Sequence, residues 1–139
     1  MTVPYEETRL VPLLTDANIE RRVADLVGRA NSRQLWLLFL DEMHVQLPLL
    51  VPIEGLPTEP TAEQAAGVVY RVREVMGEIG ATEVVTVLER YGPSALTAQD
   101  AAWVRSLRSA CAEAGVILRA QLLSHRTGAR LIGAEEFAD

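Results

Sequence analysis

The stretch from Thr82 to Ala114 constrains the fold of this chain more than any other part of it. Its sequence is TEVVTVLERYGPSALTAQDAAWVRSLRSACAEA. The β-branched and apolar residues over 83–88 predict a buried strand, and a Gly-Pro-Ser turn follows at 92–94. Thr97 then provides a helix N-cap with Asp100 three residues later, which is the spacing of a reciprocal capping box. We therefore expect a central strand, a turn and a capped helix, around which the other segments pack.

Two amphipathic helices are predicted before this unit. Apolar residues at helical spacing indicate a first helix over 16–30. A longer helix over 61–79 begins with a capping box of Thr61 and Gln64 and ends at Gly80. The polar residues that we expect on the outer face of the first helix are Glu20, Arg21, Arg22 and Asp25.

The segment between these helices predicts a β-hairpin. Gln34–Asp41 is almost entirely apolar, and Val45–Ile53 returns to apolar character after a short polar break. Pro48 and Pro52 have no N–H group to donate to a neighbouring strand. One side of the second strand should therefore be a sheet edge, or the strand should contain a bulge.

A second hairpin is predicted near the end of the chain. Its strands are Val116–Leu123 and Ala129–Ile132, joined by a polar turn over 124–128 that contains His125. The expected order is α-β-β-α-β-α-β-β. This order favours an α/β fold with a mixed sheet and helices on both faces. We divide the chain into an N-terminal arm (1–14), a single α/β domain (15–133) and an acidic tail (134–139).

Charge and composition argue against several classes of function. The formal net charge is −6 and the arginines are scattered, so the chain should repel phosphate backbones and we expect no nucleic-acid partner. The apolar run Leu47–Ile53 is too short to cross a bilayer, and the N-terminal residues lack a signal-peptide pattern. We expect a cytoplasmic protein with no membrane partner. The single cysteine, Cys111, cannot form an internal disulfide and is predicted to be a buried, inert thiol.

The residues from Glu89 to Asp100 form a candidate ligand site. Glu89 and Arg90 follow the carboxyl end of the central strand, where ligands often bind in α/β sheets. Together with Ser94, Thr97 and Asp100 they could form a small polar site. The structural alternative, which we favour, is a charged surface turn in which Asp100 only caps the following helix.

The histidine content argues against a metal centre. Catalytic zinc needs three protein ligands, whereas the chain has only His44 and His125, and we expect both to be solvated in turns. The chain also has no nucleophile-elbow motif, no phosphate-binding loop and no dinucleotide fingerprint. We therefore expect no metal, no cofactor and no catalytic residues.

Three local sequences carry a resemblance to a known family. They are QLWLLFLDEMHVQLPLLVPIEG after the first helix, EVVTVLE after the long helix, and LERYGPSALTAQDAAWVRSLRSACAEAGV. Together, over residues 14–132, they resemble the JAB/MPN-type domain of the RadC-like proteins. The resemblance implies a JAB/MPN-like (cytidine-deaminase-like) sandwich, in which a central mixed sheet has helices on both faces.

In that family, a His-x-His-Pro-Ser-Gly turn and the aspartate of an S-x-x-D helix start bind a metal ion. Thr97 and Asp100 match the S-x-x-D pattern. Counting back from Asp100 without gaps, Val87 and Glu89 stand where the two histidines would be, and the Pro-Ser pair at 93–94 is in a shifted register. The resemblance therefore implies that the metal site has been lost.

Two functions follow from these patterns. A non-catalytic JAB/MPN-like domain would act through protein–protein contact or self-association, as metal-free members of the wider family do. The edge strand near Pro48 and Pro52, or the surface of helix 16–30, could supply the interface. The alternative is a small-molecule or peptide binder, or a weak hydrolase, that uses the Glu89–Asp100 turn. It predicts a concave pocket there and a carboxylate with a perturbed pKa.

Overall fold

The computed structural model describes residues 11–137. Within them the chain follows the predicted order α-β-β-α-β-α-β-β, and a short 3-10 turn comes after the last strand. The elements are α1 (Asp16–Leu26), β1 (Gln34–Leu40), β2 (Gln46–Glu54), α2 (Ala62–Ile79), β3 (Glu83–Glu89), α3 (Ala98–Ala114), β4 (Leu118–His125), β5 (Gly128–Leu131) and the 3-10 turn Ala134–Glu136.

The five strands form one mixed sheet in the order β2-β1-β3-β4-β5. β1 is antiparallel to both β2 and β3, β3 and β4 are parallel, and β5 is antiparallel to β4. The predictions of a mixed sheet and of a central β3 are confirmed. β2 is an edge strand, and its register against β1 shifts between Leu38 and Leu40, so that Pro48 lies in an irregular stretch. The expectation for the proline-containing strand is confirmed as well.

Helices cover both faces of the sheet, as expected. α2 and α3 pack on one face, where Trp103 and Phe39 are among the largest buried side chains. α1 covers the other face through Ile19 and Val23. Leu13, from the predicted arm, is buried against the α1 face, and its N–H donates to the carbonyl of His44 at 2.8 Å. Burial of apolar side chains on both faces is the main force that holds the layers together.

The predicted helix ends of α2 and α3 are confirmed. Thr61 and Gln64 form one capping box, and Thr97 and Asp100 form the other. Gly80, with a φ of 75°, ends α2 in the left-handed conformation that glycine adopts without strain. The residues of each capping box are only three positions apart, so these helix ends could be predicted from the sequence.

Two side chains are placed differently from the prediction. Arg22 was expected on the outer face of the first helix, but it is buried, and its Nη1 donates to Oε1 of Gln46 at 2.5 Å. The prediction was wrong because the start of β2 lies against this side of α1. The helix is also shorter than predicted, ending at Leu26.

His125 was expected in a solvated turn, and this was also wrong. β4 continues as far as His125, which pairs with Gly128, so the turn contains only Arg126 and Thr127. His125 is buried as a result. The strand extends this far because its parallel pairing with β3 continues to Ser124, opposite Glu89.

Three remaining expectations concern the cysteine, the tail and membrane association. Cys111 is buried as predicted, and burial raises the pKa of its thiol. In the acidic tail, Glu136 accepts hydrogen bonds from both terminal nitrogens of Arg130, at 2.9 and 2.6 Å. Among residues 11–137, none of the helices has the length and apolar character that a membrane crossing requires.

Candidate functional site

The five residues of the predicted polar site divide between two hydrogen-bond clusters at the carboxyl end of β3. Arg90, Thr97 and Asp100 come together in one of them. Glu89 belongs to the other. Ser94 is exposed, and its carbonyl accepts a hydrogen bond from Nε of Arg130 at 2.8 Å. These residues are therefore close in sequence, but the structure does not join them in one site.

The first cluster is a buried ion pair between Arg90 and Asp100. Nε and Nη2 of Arg90 donate to Oδ2 of Asp100 at 3.0 and 2.8 Å, and the side chains are only 8% and 4% exposed. Arg90 also donates to the carbonyls of Pro93, at 2.6 Å, and Ala95, at 2.8 Å. The backbone N–H of Thr97 donates to the same Oδ2 at 2.9 Å. The pair thus fixes the turn and the start of α3. The prediction that Asp100 caps this helix is confirmed, but the predicted charged surface turn is wrong, because Arg90 and Asp100 are buried against each other.

The second cluster surrounds the carboxylate of Glu89, which accepts four hydrogen bonds. Oε2 accepts from the backbone N–H groups of Asn31 and Ser32 at 2.6 and 3.0 Å. Oε1 accepts from Nε2 of Gln34 at 2.7 Å and from Nε1 of Trp36 at 2.8 Å. Glu89 is 3% exposed. Its carboxylate therefore anchors the loop between α1 and β1 to the end of the central strand.

Burial and hydrogen bonding act in opposite directions on Glu89. Burial by itself would raise its pKa, but the four hydrogen bonds favour the charged form and hold the pKa below the ordinary value of 4.5. A proton-transferring carboxyl group needs a pKa close to the working pH. Glu89 is shifted in the opposite direction, and its environment is that of a structural anion.

The two histidines lie at opposite ends of the sheet. Nδ1 of His44 is 2.7 Å from Oε1 of Glu83, at the start of β3. His125 is the last residue of β4 and lies near the opposite end of β3, where Glu89 pairs with Ser124. Burial lowers the pKa of His125, and the positive charges of Arg130 and Arg90 lower it further. Among residues 11–137, no three His, Cys, Asp or Glu side chains are grouped so that they could hold a metal ion.

A groove of about 480 Å³ lies between the edge strand β2 and helix α2. Sequence analysis did not identify it, because its two walls come from separate segments of the chain. Its volume is within the usual range of about 300–1,000 Å³ for ligand sites. Its lining is mostly apolar: Leu37, Val51, Pro52, Ile53, Leu56, Pro57, Gly67, Val68 and Val75, with Gln64 and Arg71 as the polar members.

One end of this β2–α2 groove is held in place by the loop that joins β2 to α2. The carbonyl of Pro57 accepts hydrogen bonds from Nε1 of Trp103 at 2.8 Å and from Nη2 of Arg33 at 2.9 Å. Trp103 is 1% exposed and belongs to the core between the sheet and the helices. The loop, and with it Leu56 and Pro57 of the lining, is therefore fixed to the core.

The α2 wall of the groove contains a glycine with open space beside it. A Cβ atom at Gly67 would meet no other atom within 4 Å, so packing within the described chain does not require glycine there. Glycine inside a helix costs about 0.5–1 kcal/mol relative to alanine. Gly77, in the same helix, has equally open surroundings but does not line the groove. The pair offers matched positions for testing the groove.

No protein-family model matches the chain, and no curated protein has a matching sequence.

Proposed function

We propose that this chain is a non-catalytic domain that acts through protein–protein contact, docking an apolar segment of a partner protein in the β2–α2 groove. The groove is the observation that carries the proposal. The resemblance of residues 14–132 to the JAB/MPN-type domain of RadC-like proteins belongs to the same proposal, as a degenerate relative without the metal-binding histidines. A cytoplasmic location is a further part of it, and so is the absence of a nucleic-acid partner, which the net charge of −6 motivates.

The dimensions of the groove favour a peptide segment as its occupant. On α2 the lining extends from Gln64 to Val75, which at a rise of about 1.5 Å per residue is roughly 16 Å. An extended chain advances about 3.3 Å per residue, so a segment of about five residues would fill this length. Apolar side chains from such a segment would cover the partly buried Val51, Ile53 and Leu56.

The edge strand itself is a poor template for another strand. Pro48 and Pro52 remove two N–H donors from β2, and the register shift opposite Leu38–Leu40 interrupts its regular geometry. Binding in this region should therefore depend on side chains in the groove more than on main-chain hydrogen bonds along the edge.

The polar turn offers less to a ligand. The carboxylate of Glu89 already has four donors, and that of Asp100 is shared between Arg90 and Thr97. The alternative function as a small-molecule binder or weak hydrolase stays a hypothesis, and it has no specific contact in its favour.

The proposal is tested by filling the groove. Tagged wild type, Gly67→Leu and Gly77→Leu are expressed in the source cell, purified under native conditions and compared by quantitative mass spectrometry. A partner should be recovered at near-equal stoichiometry with wild type and with Gly77→Leu, and at least about tenfold less with Gly67→Leu, the equivalent of about 1.4 kcal/mol.

Equal recovery with all three baits would contradict the groove as the docking site. Recovery of no stoichiometric partner by wild type would contradict the proposed function itself. Circular dichroism of the two leucine variants serves as the folding control, since both glycines are exposed.

A further inference from the structure

We infer that the β2–α2 groove selects segments that carry a carboxylate, and that Arg71 is the residue that recognises it. The inference rests on the proposed function and names the chemistry of the partner: an apolar segment of about five residues with one acidic side chain or a free carboxyl terminus.

Arg71 is the charged member of the groove lining. It is exposed and, among residues 11–137, no ion pair or hydrogen bond of its side chain is present. Several other arginines are engaged: Arg33, Arg90, Arg105, Arg119 and Arg130 all donate hydrogen bonds. Arg71 therefore keeps its full donor capacity for a ligand in the groove.

The surroundings of Arg71 suit a carboxylate more than other polar groups. A guanidinium group matches the two oxygens of a carboxylate in a planar, bidentate arrangement. The neighbouring lining, Val68 and Val75, is apolar, and such surroundings strengthen a charged hydrogen bond when a ligand displaces water. The amide NH2 of Gln64 is a second donor, since it has no partner in the described part of the chain. The Oε1 atom of the same side chain accepts from the N–H of Thr61 at 2.9 Å, which fixes the amide group in place.

The net charge of the chain makes this preference selective. With a net charge of −6, the protein as a whole repels acidic partners. The negative charge of a segment therefore favours binding only where a positive charge lies directly at the site. An apolar segment without a carboxylate would leave Arg71 partly covered and unpaired, which is unfavourable for a charged group. Both effects favour an apolar segment with one negative charge over an uncharged or uniformly acidic one.

The test is selection from a display library of random pentapeptides, in one format with neutral flanks and in another with a free carboxyl terminus. The baits are wild type, Gly67→Leu, Arg71→Glu and Arg73→Glu. Arg73 is the matched control, since it is exposed on the same helix and does not line the groove. Wild type and Arg73→Glu should enrich apolar peptides with one carboxylate, whereas Arg71→Glu should enrich apolar peptides with Lys or Arg.

Affinities of a synthetic peptide from the selection then give the size of the effect. Arg71→Ala should weaken binding about tenfold, and replacing the carboxylate of the peptide by an amide should weaken binding to wild type by a similar factor. The amide peptide should bind Arg71→Ala at least as tightly as it binds wild type, because it has no carboxylate contact to lose and the variant has no charged side chain to leave covered and unpaired.

The outcomes separate the two proposals. Apolar peptides that bind in a Gly67-dependent way but show no acidic preference would overturn the role of Arg71 and leave the proposed function standing. Peptides enriched equally by wild type and Gly67→Leu, or no enrichment at all, would overturn the docking groove and the inference with it.

Discussion

The carboxyl end of β3 and the β2–α2 groove differ in how far their chemical groups are satisfied within the chain. At the end of β3, Glu89 accepts four hydrogen bonds and Arg90 donates four, while both are almost completely buried. In the groove, Arg71 has no partner in the described residues and the apolar side chains of β2 are partly exposed. A charged cluster in a sequence can therefore be structural, while an unremarkable helix face can supply the free groups that a partner needs.

The physical reason for this difference is the cost of burial. A buried charge is tolerated only with a full set of partners, so the residues at the end of β3 are used in holding the chain together. Exposed apolar side chains and an exposed arginine cost little in the free protein and become favourable contacts when a ligand covers them. Substitutions at the end of β3 should therefore affect stability, and substitutions in the groove should affect binding.

The largest effect is expected for Arg90→Ala. It leaves the carboxylate of Asp100 buried without its cation and removes the hydrogen bonds that hold the carbonyls of Pro93 and Ala95, so the free energy of unfolding should fall by about 3–5 kcal/mol. Urea denaturation measures the loss. Arg73→Ala, an exposed control, should change stability by less than about 0.5 kcal/mol. A loss below about 1 kcal/mol for Arg90→Ala would show that the buried pair is not the element that fixes the turn.

A smaller loss, about 1–3 kcal/mol at pH 7, is expected for Glu89→Gln, because the amide nitrogen must face one pair of the donors that now contact the carboxylate. The folded-state pKa of Glu89 is lowered, so its charged form contributes stability above the ordinary pKa of 4.5. That contribution is lost as the pH falls through the folded-state pKa. The difference in the free energy of unfolding between wild type and Glu89→Gln should therefore become smaller in acid. Urea titrations at pH 7 and in acid measure it, and a pH-independent difference would contradict the charge effect.

Trp103→Phe should affect both stability and binding, since it removes a core N–H that holds the groove loop. The free energy of unfolding should fall by about 1–2 kcal/mol, and groove peptides should bind several-fold more weakly.

Arg33 still donates to the Pro57 carbonyl in Trp103→Phe, as Trp103 does in Arg33→Ala. The double variant leaves the carbonyl without either donor, and we expect a more than additive loss of binding by isothermal titration calorimetry. Strict additivity would show that the loop does not depend on this shared acceptor.

The smallest effects are expected for Gly67→Ala and Gly77→Ala. Both should raise the midpoint of thermal unfolding, because alanine stabilises a helix interior by about 0.5–1 kcal/mol and the added methyl group meets no atom at either position. Peptide binding should separate them, since only the methyl group at Gly67 enters the groove. A destabilised Gly67→Ala would mean that the space beside this residue is already occupied.

Several features of this protein were predictable from residues close together in the chain. The capping boxes of α2 and α3 each involve residues three positions apart, and the glycines at 80 and 115 end the same helices. Strand and helix periodicity gave the order of elements, and the prolines at 48 and 52 marked β2 as an edge. All of these are local preferences of the chain, which do not depend on contacts with segments that are distant in sequence.

The contacts that define the candidate sites could not be predicted in this way. The donors to Glu89 lie 53 to 58 positions away in the chain, and only the pairing of β1 with β3 brings them to the carboxylate. The same holds for Arg22, whose burial depends on Gln46 at the start of β2.

The sequence by itself determined which segments form helices and strands, and where α2 and α3 begin and end. Only the tertiary structure decided which charges are buried with partners and which remain free, because burial is a property of how layers pack and not of neighbouring residues. It separated Glu89 from Arg90, although the two are adjacent in the chain. It also placed β2 beside α2, so that the groove with Arg71 at its wall exists only in the folded protein.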